Sequence, residues 1–238
     1  MDKTQTPRFA VAIDGPGGAG KSTVAKRIAQ MFHLAHIDTG AMYRAIALYY
    51  VRRGLNIKDE AAVEKCLADI EIEISPSEGG QQLFLNGEDV TQALRTQEIA
   101  EGSSVVAVYA QVREKLTALQ RAIAENGRVV MDGRDIGSQV LPWAQVKIYL
   151  DASIEARVKR RVSELQLSNK PCDPADVRRE IEERDYRDTH RKISPLTRAD
   201  GAVYLDTSEM DEEEVIGKVA EIIIKGGLRE CSTVLRKP

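Results

Sequence analysis

The sequence predicts an α/β fold: a five-stranded parallel sheet flanked by helices, with a small antiparallel sheet inserted into it. Three observations support this prediction. A short apolar run leads into a glycine-rich loop and then into a helical pattern at the start of the chain. Similar apolar runs alternate with helical patterns along most of the remaining length, as in parallel sheets covered by helices. One stretch, residues 70–90, instead alternates with period two around glycines.

The composition suits one globular domain, with or without an insertion, because 238 residues can bury a sizeable core. With 42% hydrophobic and 30% charged residues, the chain is neither disordered nor an integral membrane protein. Its net charge is −3, yet arginines gather between Arg157 and Arg198, which favours a small anionic ligand over a long nucleic acid. The polar segment 1–7 and the lack of a long apolar run predict no signal peptide, no membrane partner and a cytoplasmic location.

The three cysteines, Cys66, Cys172 and Cys231, are far apart and have no CxxC pair or nearby histidine. This spacing predicts neither a disulfide framework nor a zinc site, and it favours a reducing compartment.

Apolar, β-branched runs predict the parallel strands, and helical periodicity predicts the elements between them. The predicted strands are residues 8–13, 35–37, 128–132, 146–151 and 202–206. The predicted helices are residues 21–32, 41–53, 104–126, 153–166, 174–192 and 211–225. In residues 70–90, the Asn86-Gly87 turn signal predicts antiparallel pairing. A functional insert and a surface hairpin without a function both remain open for this stretch.

The strongest motif is a glycine-rich loop that matches the P-loop pattern GxxxxGK[ST]. It consists of Gly15, Pro16, Gly17, Gly18, Ala19, Gly20, Lys21 and Ser22, followed by Thr23. Glycines let successive backbone N–H groups converge on phosphate oxygens, so the loop predicts ATP binding. Lys21 is expected to reach the β- and γ-phosphates, and the Ser22 hydroxyl to bind Mg²⁺.

A P-loop also requires an acid near the metal, usually at the end of a neighbouring strand. The candidates are Asp38, Asp132, Asp151 and Asp206. Asp132 is preferred because a polar Gly-Arg-Asp cluster follows it, and it is expected to act on Mg²⁺ through water. For Asp151 and Asp206, helix capping is the better interpretation.

The late arginines decide what else binds, because a P-loop alone does not specify a reaction. Arg184, Arg187 and Arg191 are spaced three and four residues apart and share one helix face. Glu180 and Glu183 each precede an arginine by four residues, so a solvated helix with weak ion pairs also explains the pattern.

Taken together, GPGGAGKST, HIDTGAMYR, LNGEDVT, RTQE, VREKL, DGRDIG, VKIYLDAS and ERDYRDTHR resemble the bacterial cytidylate kinases over almost the whole chain. The resemblance implies a P-loop kinase that transfers phosphate from ATP, with Mg²⁺, to CMP or dCMP. It further implies a single monomeric domain with small-molecule partners only. Its parts would be a core (8–38, 114–156 and 171–226), an acceptor-binding region with the insert (39–113), a short lid (157–170) and a tail (227–238).

The resemblance also assigns roles to residues that match the family's motifs. It implies that Lys21, Asp132, Arg134 and Arg191 are catalytic. Arg44, Arg134 and Arg191 would hold the acceptor phosphate, with Thr39 and Tyr43 also at the acceptor; Asp135, Ser104 and Arg113 would recognise the base; Arg184 and Asp188 would contact the sugar. Arg157, Arg160 and Arg161 would close over ATP, although a basic solvent-facing helix is the alternative.

Some features depart from this pattern or leave it open. Ser22 stands where some relatives have glycine, which puts its metal role in question. His33, His36 and His190 have no acid/base constellation in the sequence and are expected to be structural or exposed. The alternative functions are a kinase for UMP, AMP or a shikimate-like acceptor, and a regulatory protein that uses ATP as a switch.

Overall fold

The computed structural model describes residues 8–77, 80–125, 127–169 and 171–228. The N-terminal segment 1–7, Cys231 and most of the predicted tail, residues 229–238, lie outside the described residues, as do Asn126 and Lys170. Cys66 and Cys172 are free thiols. In the described part of the chain, no helix is both long and apolar enough to cross a membrane.

A five-stranded parallel sheet forms the centre of the molecule and confirms the predicted fold class. Its strands are β1 (Phe9–Asp14), β2 (Ala35–Asp38), β6 (Arg128–Gly133), β7 (Val146–Asp151) and β8 (Val203–Asp206), in the order β2-β6-β1-β7-β8. β1 lies in the middle and is buried along its length after Phe9. Because parallel strands point the same way, the carboxyl ends of β1, β2 and β6 bring Asp14, Asp38 and Asp132 to one edge.

Eight α-helices are described, and most match the predicted ranges closely. They are α1 (Lys21–Phe32), α2 (Thr39–Arg52), α3 (Glu60–Cys66), α4 (Gln97–Val106), α5 (Ala110–Glu125), α6 (Ile154–Leu167), α7 (Pro174–His190) and α8 (Glu212–Lys225). On one sheet face, the apolar stripe of α1 (Val24, Ile28 and Phe32) shares a buried cluster with α8. Sequence analysis did not predict α3, which Asp59 caps.

The prediction of one helix over 104–126 is wrong, because the chain bends at residues 107–109. Val108 and Tyr109 donate backbone hydrogen bonds only three residues back, to Val105 and Val106. The carbonyl of Ala107 accepts a hydrogen bond from the Arg113 guanidinium at 3.1 Å instead of continuing a single helix. The bend separates α4 from α5 and thereby turns Arg113 toward the interior.

The inserted segment forms the predicted antiparallel sheet, with strands β3 (Ile72–Ser77), β4 (Gly80–Leu85) and β5 (Glu88–Asp89). Its apolar face does not lie on the surface, since Ile72, Leu83 and Leu85 are buried in a second core built around α2. The insert and the helix that carries Arg44 therefore share one hydrophobic cluster.

Candidate active site

The glycine-rich loop joins β1 to α1 in a backbone conformation that requires glycine. Gly15 has a φ of 147°, and a Cβ there would lie 1.9 Å from the carbonyl oxygen of Leu150. Gly18 and Gly20 also have positive φ, and Gly20 caps α1. The loop thus lies at the positively polarised start of a helix, which is a natural anion site.

Lys21, the first residue of α1, is buried at this loop. Its Nζ donates a hydrogen bond to the Pro16 carbonyl oxygen at 2.6 Å. Burial, and next the nearby positive charge of Arg134, lower the pKa of Lys21 well below its usual value. An anionic ligand at this position would therefore strongly stabilise the charged form of Lys21.

Asp132 is the acid that the structure places beside the loop, at the end of β6. Its carboxylate accepts hydrogen bonds from Ser22 Oγ at 2.5 Å and pairs with His36 Nε2 at 2.7 Å, while its carbonyl oxygen accepts one from Thr39 Oγ1. Burial opposes the charged form, but His36, Ser22 and Lys21 outweigh it and lower the pKa of Asp132.

The pair of Ser22 and Asp132 fits Mg²⁺, because a hydroxyl and a carboxylate oxygen are the hard ligands that this ion prefers. No group of three or more histidine, cysteine or acidic side chains suited to a metal occurs among the residues that the structure describes. One hydroxyl ligand and a carboxylate that acts through water would suffice, because phosphates and water supply the other ligands of nucleotide-bound Mg²⁺.

His36 has a contact that the sequence alone does not indicate. Its side chain is only 10% exposed and pairs with Asp132, so of the two expectations, structural or exposed, the second is wrong. The two residues are 96 positions apart, and only the pairing of β2 with β6 brings them together. Among the residues that the structure describes, neither His33 nor His190 pairs with an acid: His33 ends α1 with a positive φ, and His190 stacks on Tyr186.

One cleft of about 1080 Å³ opens beside the loop and contains most of the predicted site residues. Those that line it are Gly17, Gly18, Gly20, Lys21, Ser22, Thr23, Thr39, Tyr43, Arg44, Ser104, Arg113, Asp132, Arg134, Asp135, Arg161, Arg184, Asp188 and Arg191. Small-molecule pockets usually enclose about 300–1,000 Å³, so this cleft has room for more than one small ligand.

Two arginines lie directly over the glycine loop. A Cβ on Gly17 would be 3.6 Å from Nη2 of Arg134 and 3.7 Å from Cδ of Arg184. Asp188 pairs with Arg134 at 2.8 Å. Burial opposes its charged form, but the positive charges of Arg134 and Arg184 outweigh this and lower the pKa of Asp188. Arg184 Nε is buried with no hydrogen-bond partner in the described structure, and burial together with Arg134 lowers the pKa of Arg184 to about 10.

A second cationic group lies deeper on the acceptor side, around Asp135. Arg113 donates a hydrogen bond to Asp135, and Arg191 Nη2 lies 3.6 Å from the same carboxylate. Burial, and next the like charge of Arg113, lower the pKa of Arg191. Ser104, on α4, accepts a hydrogen bond from Arg187 Nε at 3.1 Å. Arg113, Arg191, Asp135 and Ser104 line the cleft and are nearly excluded from water, whereas the Arg187 side chain is 39% exposed.

Arg44 lies at the start of α2, next to the end of β2. Its Nη2 donates to Asp38 Oδ2 at 2.7 Å, and Asp38 Oδ1 accepts from the Ala41 N–H to cap the helix. Arg44 is therefore held at the cleft by the residue that begins its own helix.

The sequence allowed two interpretations of the charges on α7, a solvated helix with weak ion pairs and a ligand-binding face. The structure has both, on different faces of the helix. Its outer face forms exposed pairs of Arg178 with Glu155 and with Glu182. Its inner face turns Arg184 and Asp188 into the cleft. Exposed ion pairs of this kind contribute about 0–1 kcal/mol each to stability, so the inner face is the better candidate for a functional role.

The three arginines of α6 differ in position. Arg157 is buried against the glycine loop, where its Nη1 donates to the Gly17 carbonyl oxygen at 3.1 Å and to Asp185 at 2.5 Å. Arg160 contacts Thr207, away from the cleft lining. Only Arg161 lines the cleft, near Gln97 and Glu164.

Asp14, at the end of β1, is a buried acid for which the sequence predicts no role. Its carboxylate accepts hydrogen bonds from the Ile136 and Gly137 N–H groups, both at 2.7 Å. These begin a short π-helical turn, Ile136–Val140, that follows Arg134 and Asp135. Burial raises the pKa of Asp14 to about 6, against the effect of the two hydrogen bonds. Asp14 thus joins the glycine loop to the segment that presents Arg134.

The arrangement can hold two anions side by side: a polyphosphate on the glycine loop and a phosphate among Arg44, Arg134 and Arg191. These three residues line one cleft rather than separate surfaces. Preorganised cations between two such groups offset their mutual repulsion and stabilise charge that develops during transfer.

Comparison with known proteins gives consistent matches. A family model described as cytidylate kinase matches residues 11–225. The cytidylate kinase of Leuconostoc mesenteroides is 47% identical over 215 residues, covering 90% of this chain and 96% of the relative. That of Geobacillus thermodenitrificans is 48% identical over 216 residues, covering 91% and 96%. A solved structure of an uncharacterized protein from Eubacterium ventriosum is similar in fold alone, with a TM-score of 0.50 at 13% identity over 92% of this chain and 99% of that one.

Proposed function

Because the chain belongs to the cytidylate kinase family, we propose that it transfers the γ-phosphoryl group of ATP to CMP or dCMP. The products are ADP and CDP or dCDP. One observation supports this proposal above the others: Arg134 and Arg184 pack over Gly17 of the phosphate loop while Arg134 also borders the acceptor end of the cleft. A donor and an acceptor phosphate bound there would meet end to end.

The ATP side of the cleft is formed by residues 15–23, which include Lys21. Backbone N–H groups at the start of α1 would bind the phosphates, and Lys21 would exchange its bond to Pro16 for the β- and γ-phosphate oxygens. Arg157 fixes the loop from beneath through Gly17. We propose that Arg161 acts from the lid, residues 157–170, where closure excludes water, and that Arg160 joins it only after leaving Thr207.

Ser22 and Asp132 would hold Mg²⁺, Asp132 through a water molecule. When bound, the ion supplies positive charge to the transferring phosphates. His36 and Ser22 keep the Asp132 carboxylate in one orientation, and Thr39 fixes its backbone.

On the acceptor side, Arg44, Arg134 and Arg191 would hold the monophosphate. A phosphate oxygen attacks the γ-phosphorus as the bond from that phosphorus to the β,γ-bridging oxygen breaks, and ADP leaves with the bonding electrons. A phosphate monoester loses its second proton near pH 6, so no strong general base is required. Positioning and charge stabilisation by the arginines account for the catalysis.

For base selection, we propose that Asp135 accepts a hydrogen bond from the cytosine amine while Arg113 and Ser104 donate to its ring nitrogen and carbonyl. Uracil reverses the polarity at the amine position, which would place its 4-oxygen against the Asp135 carboxylate, two acceptors with no hydrogen bond between them. Tyr43 would border the base, and burial raises the pKa of its hydroxyl to about 12, so it remains a neutral donor. Arg184 and Asp188 would contact the sugar.

We further propose a monomer that acts in the cytoplasm on small molecules alone. Its acceptor region is residues 39–113 and its core residues 8–38, 114–156 and 171–226. The test is ADP release from ATP with CMP, dCMP, UMP, AMP and shikimate. Turnover with CMP and dCMP well above the others supports the proposal. Preference for AMP, UMP or shikimate contradicts the acceptor, and equal ATP hydrolysis without any acceptor would favour a nucleotide switch.

A further inference from the structure

The insert contacts the site through the side-chain amide of Gln81. Its Oε1 accepts a hydrogen bond from the Asp38 backbone N–H at 2.9 Å, and its Nε2 lies 3.4 Å from the Asp38 carbonyl oxygen. The Gln81 side chain therefore contacts both the backbone N–H and the backbone carbonyl of Asp38, a residue 43 positions earlier in the sequence. The backbone N–H fixes the orientation of the amide, because only the oxygen can accept from it.

Asp38 passes this restraint to Arg44. Its carboxylate both caps α2 at the Ala41 N–H and pairs with Arg44 Nη2 at 2.7 Å. Gln81 thus restrains the backbone of Asp38, and the carboxylate of Asp38 restrains the guanidinium of Arg44. The Asp38 and Arg44 side chains are about one-quarter exposed, at 24% and 25%, so neither is immobilised by burial. Such a site depends on hydrogen bonds for its geometry.

We propose that the antiparallel insert positions Arg44 through Gln81 and Asp38, and that this contact sets the affinity for the acceptor phosphate. The inference rests on the proposed function, in which Arg44 binds that phosphate. Gln81 acts here as a positioning residue, since it reaches the phosphate only through Arg44.

The packing of the insert supports a positioning role. Leu83, two residues after Gln81 on β4, is buried in the cluster that includes Met42 and Ala45 of α2. Gln81 and Leu83 project from the same face of the strand, because side chains alternate. Both line the cleft, as does Thr91, which accepts a hydrogen bond from the Leu83 N–H. This face of the insert therefore both packs against α2 and borders the cleft.

The test compares Gln81→Met with Gln82→Met in the full chain. Methionine keeps the length and flexibility of glutamine but removes the amide, and Gln82 is the neighbouring residue on the opposite face of β4. Loss of hydrogen bonds of this kind predicts that Gln81→Met raises KM for CMP about 3- to 10-fold, with KM for ATP unchanged. Gln82→Met should leave both values at those of the wild type.

A double-mutant cycle separates positioning from a general effect on folding. In an Arg44→Ala background, Gln81→Met should raise KM for CMP no further, because the group through which it acts is gone. If Gln81→Met causes the same fold-change in that background, or none in the wild type, the inference is wrong. Wild-type protein without CMP kinase activity would contradict the proposed function instead, so the two failures are distinguishable.

Discussion

Replacing Asp135 with asparagine should change which pyrimidine the protein accepts. Asparagine has the same shape, but its amide can donate a hydrogen bond where the carboxylate can only accept. The 4-amino group of cytosine then loses a charged acceptor, and the 4-oxygen of uracil gains a donor. Asp135 is 5% exposed and lies against Arg113 and Arg191, which are 3% and 8% exposed, so water cannot take over the lost contact.

The size of the effect follows from this burial. A hydrogen bond to a charged group contributes about 1.5–3 kcal/mol, and each 1.4 kcal/mol is about tenfold in a ratio of rates. We expect the preference for CMP over UMP, measured as the ratio of kcat/KM values, to fall about 10- to 100-fold. Turnover with CMP should also fall, because two buried guanidiniums lose their carboxylate partner.

ADP release with CMP and UMP under identical ATP concentrations measures this ratio, and a thermal melt verifies that the variant is folded. Asp185→Asn is the matched control, since it removes a carboxylate from another arginine pair, with Arg157, outside the proposed base pocket. That control should leave the CMP to UMP ratio unchanged. A folded Asp135→Asn protein with the wild-type ratio would remove Asp135 from base recognition.

Three further predictions concern the donor side and the fold. Lys21→Ala should lower kcat by about 10²- to 10³-fold with CMP and dCMP alike, because its contact is with the donor phosphates; a loss confined to one acceptor in steady-state assays would contradict this. His36→Phe should raise the Mg²⁺ concentration for half-maximal binding of a fluorescent ATP analogue by about tenfold, since it frees one oxygen of Asp132; an unchanged Mg²⁺ titration would exclude this role. The pKa of Asp14 is raised to about 6, so its proton favours the folded state at low pH and this contribution is lost as the pH rises through the folded pKa. Between about pH 4 and about pH 7, the free energy of unfolding of Asp14→Asn, measured with urea, should therefore rise by up to about 3 kcal/mol relative to that of the wild type. A difference between the two proteins that does not depend on pH would refute this prediction.

Local sequence patterns were sufficient for most of the fold. Four of the five parallel strands end in aspartate, and β6 ends one residue after Asp132. The helix α1 matches its predicted range because Gly20 and Phe32 bound a clear amphipathic stripe. The bend between α4 and α5 was not predictable in this way. It involves Arg113, whose Nη1 donates to the Ala107 carbonyl while its Nη2 donates to Asp135, a residue that follows β6 and is distant in sequence.

The candidate site follows the same division. The glycine loop is contiguous in sequence, so its geometry could be predicted. The contact of Asp132 with His36 joins residues 96 positions apart and depends on the pairing of β2 with β6. The contact of Gln81 with Asp38 joins residues 43 positions apart and depends on how the inserted sheet packs against the central one. Helical spacing placed Arg157, Arg160 and Arg161 on α6, but it does not reveal which of them turns to the glycine loop, to Thr207 or to the cleft.

The central claim is that one cleft grips two phosphorylated molecules end to end. An adenosine and a cytidine joined through their 5′ oxygens by five phosphates would span both halves of such a cleft. Its inhibition should be competitive with ATP and also with CMP, and its affinity should exceed that of either nucleotide because the second contact is made within one complex. Inhibition that competes with only one of the two substrates would contradict the account.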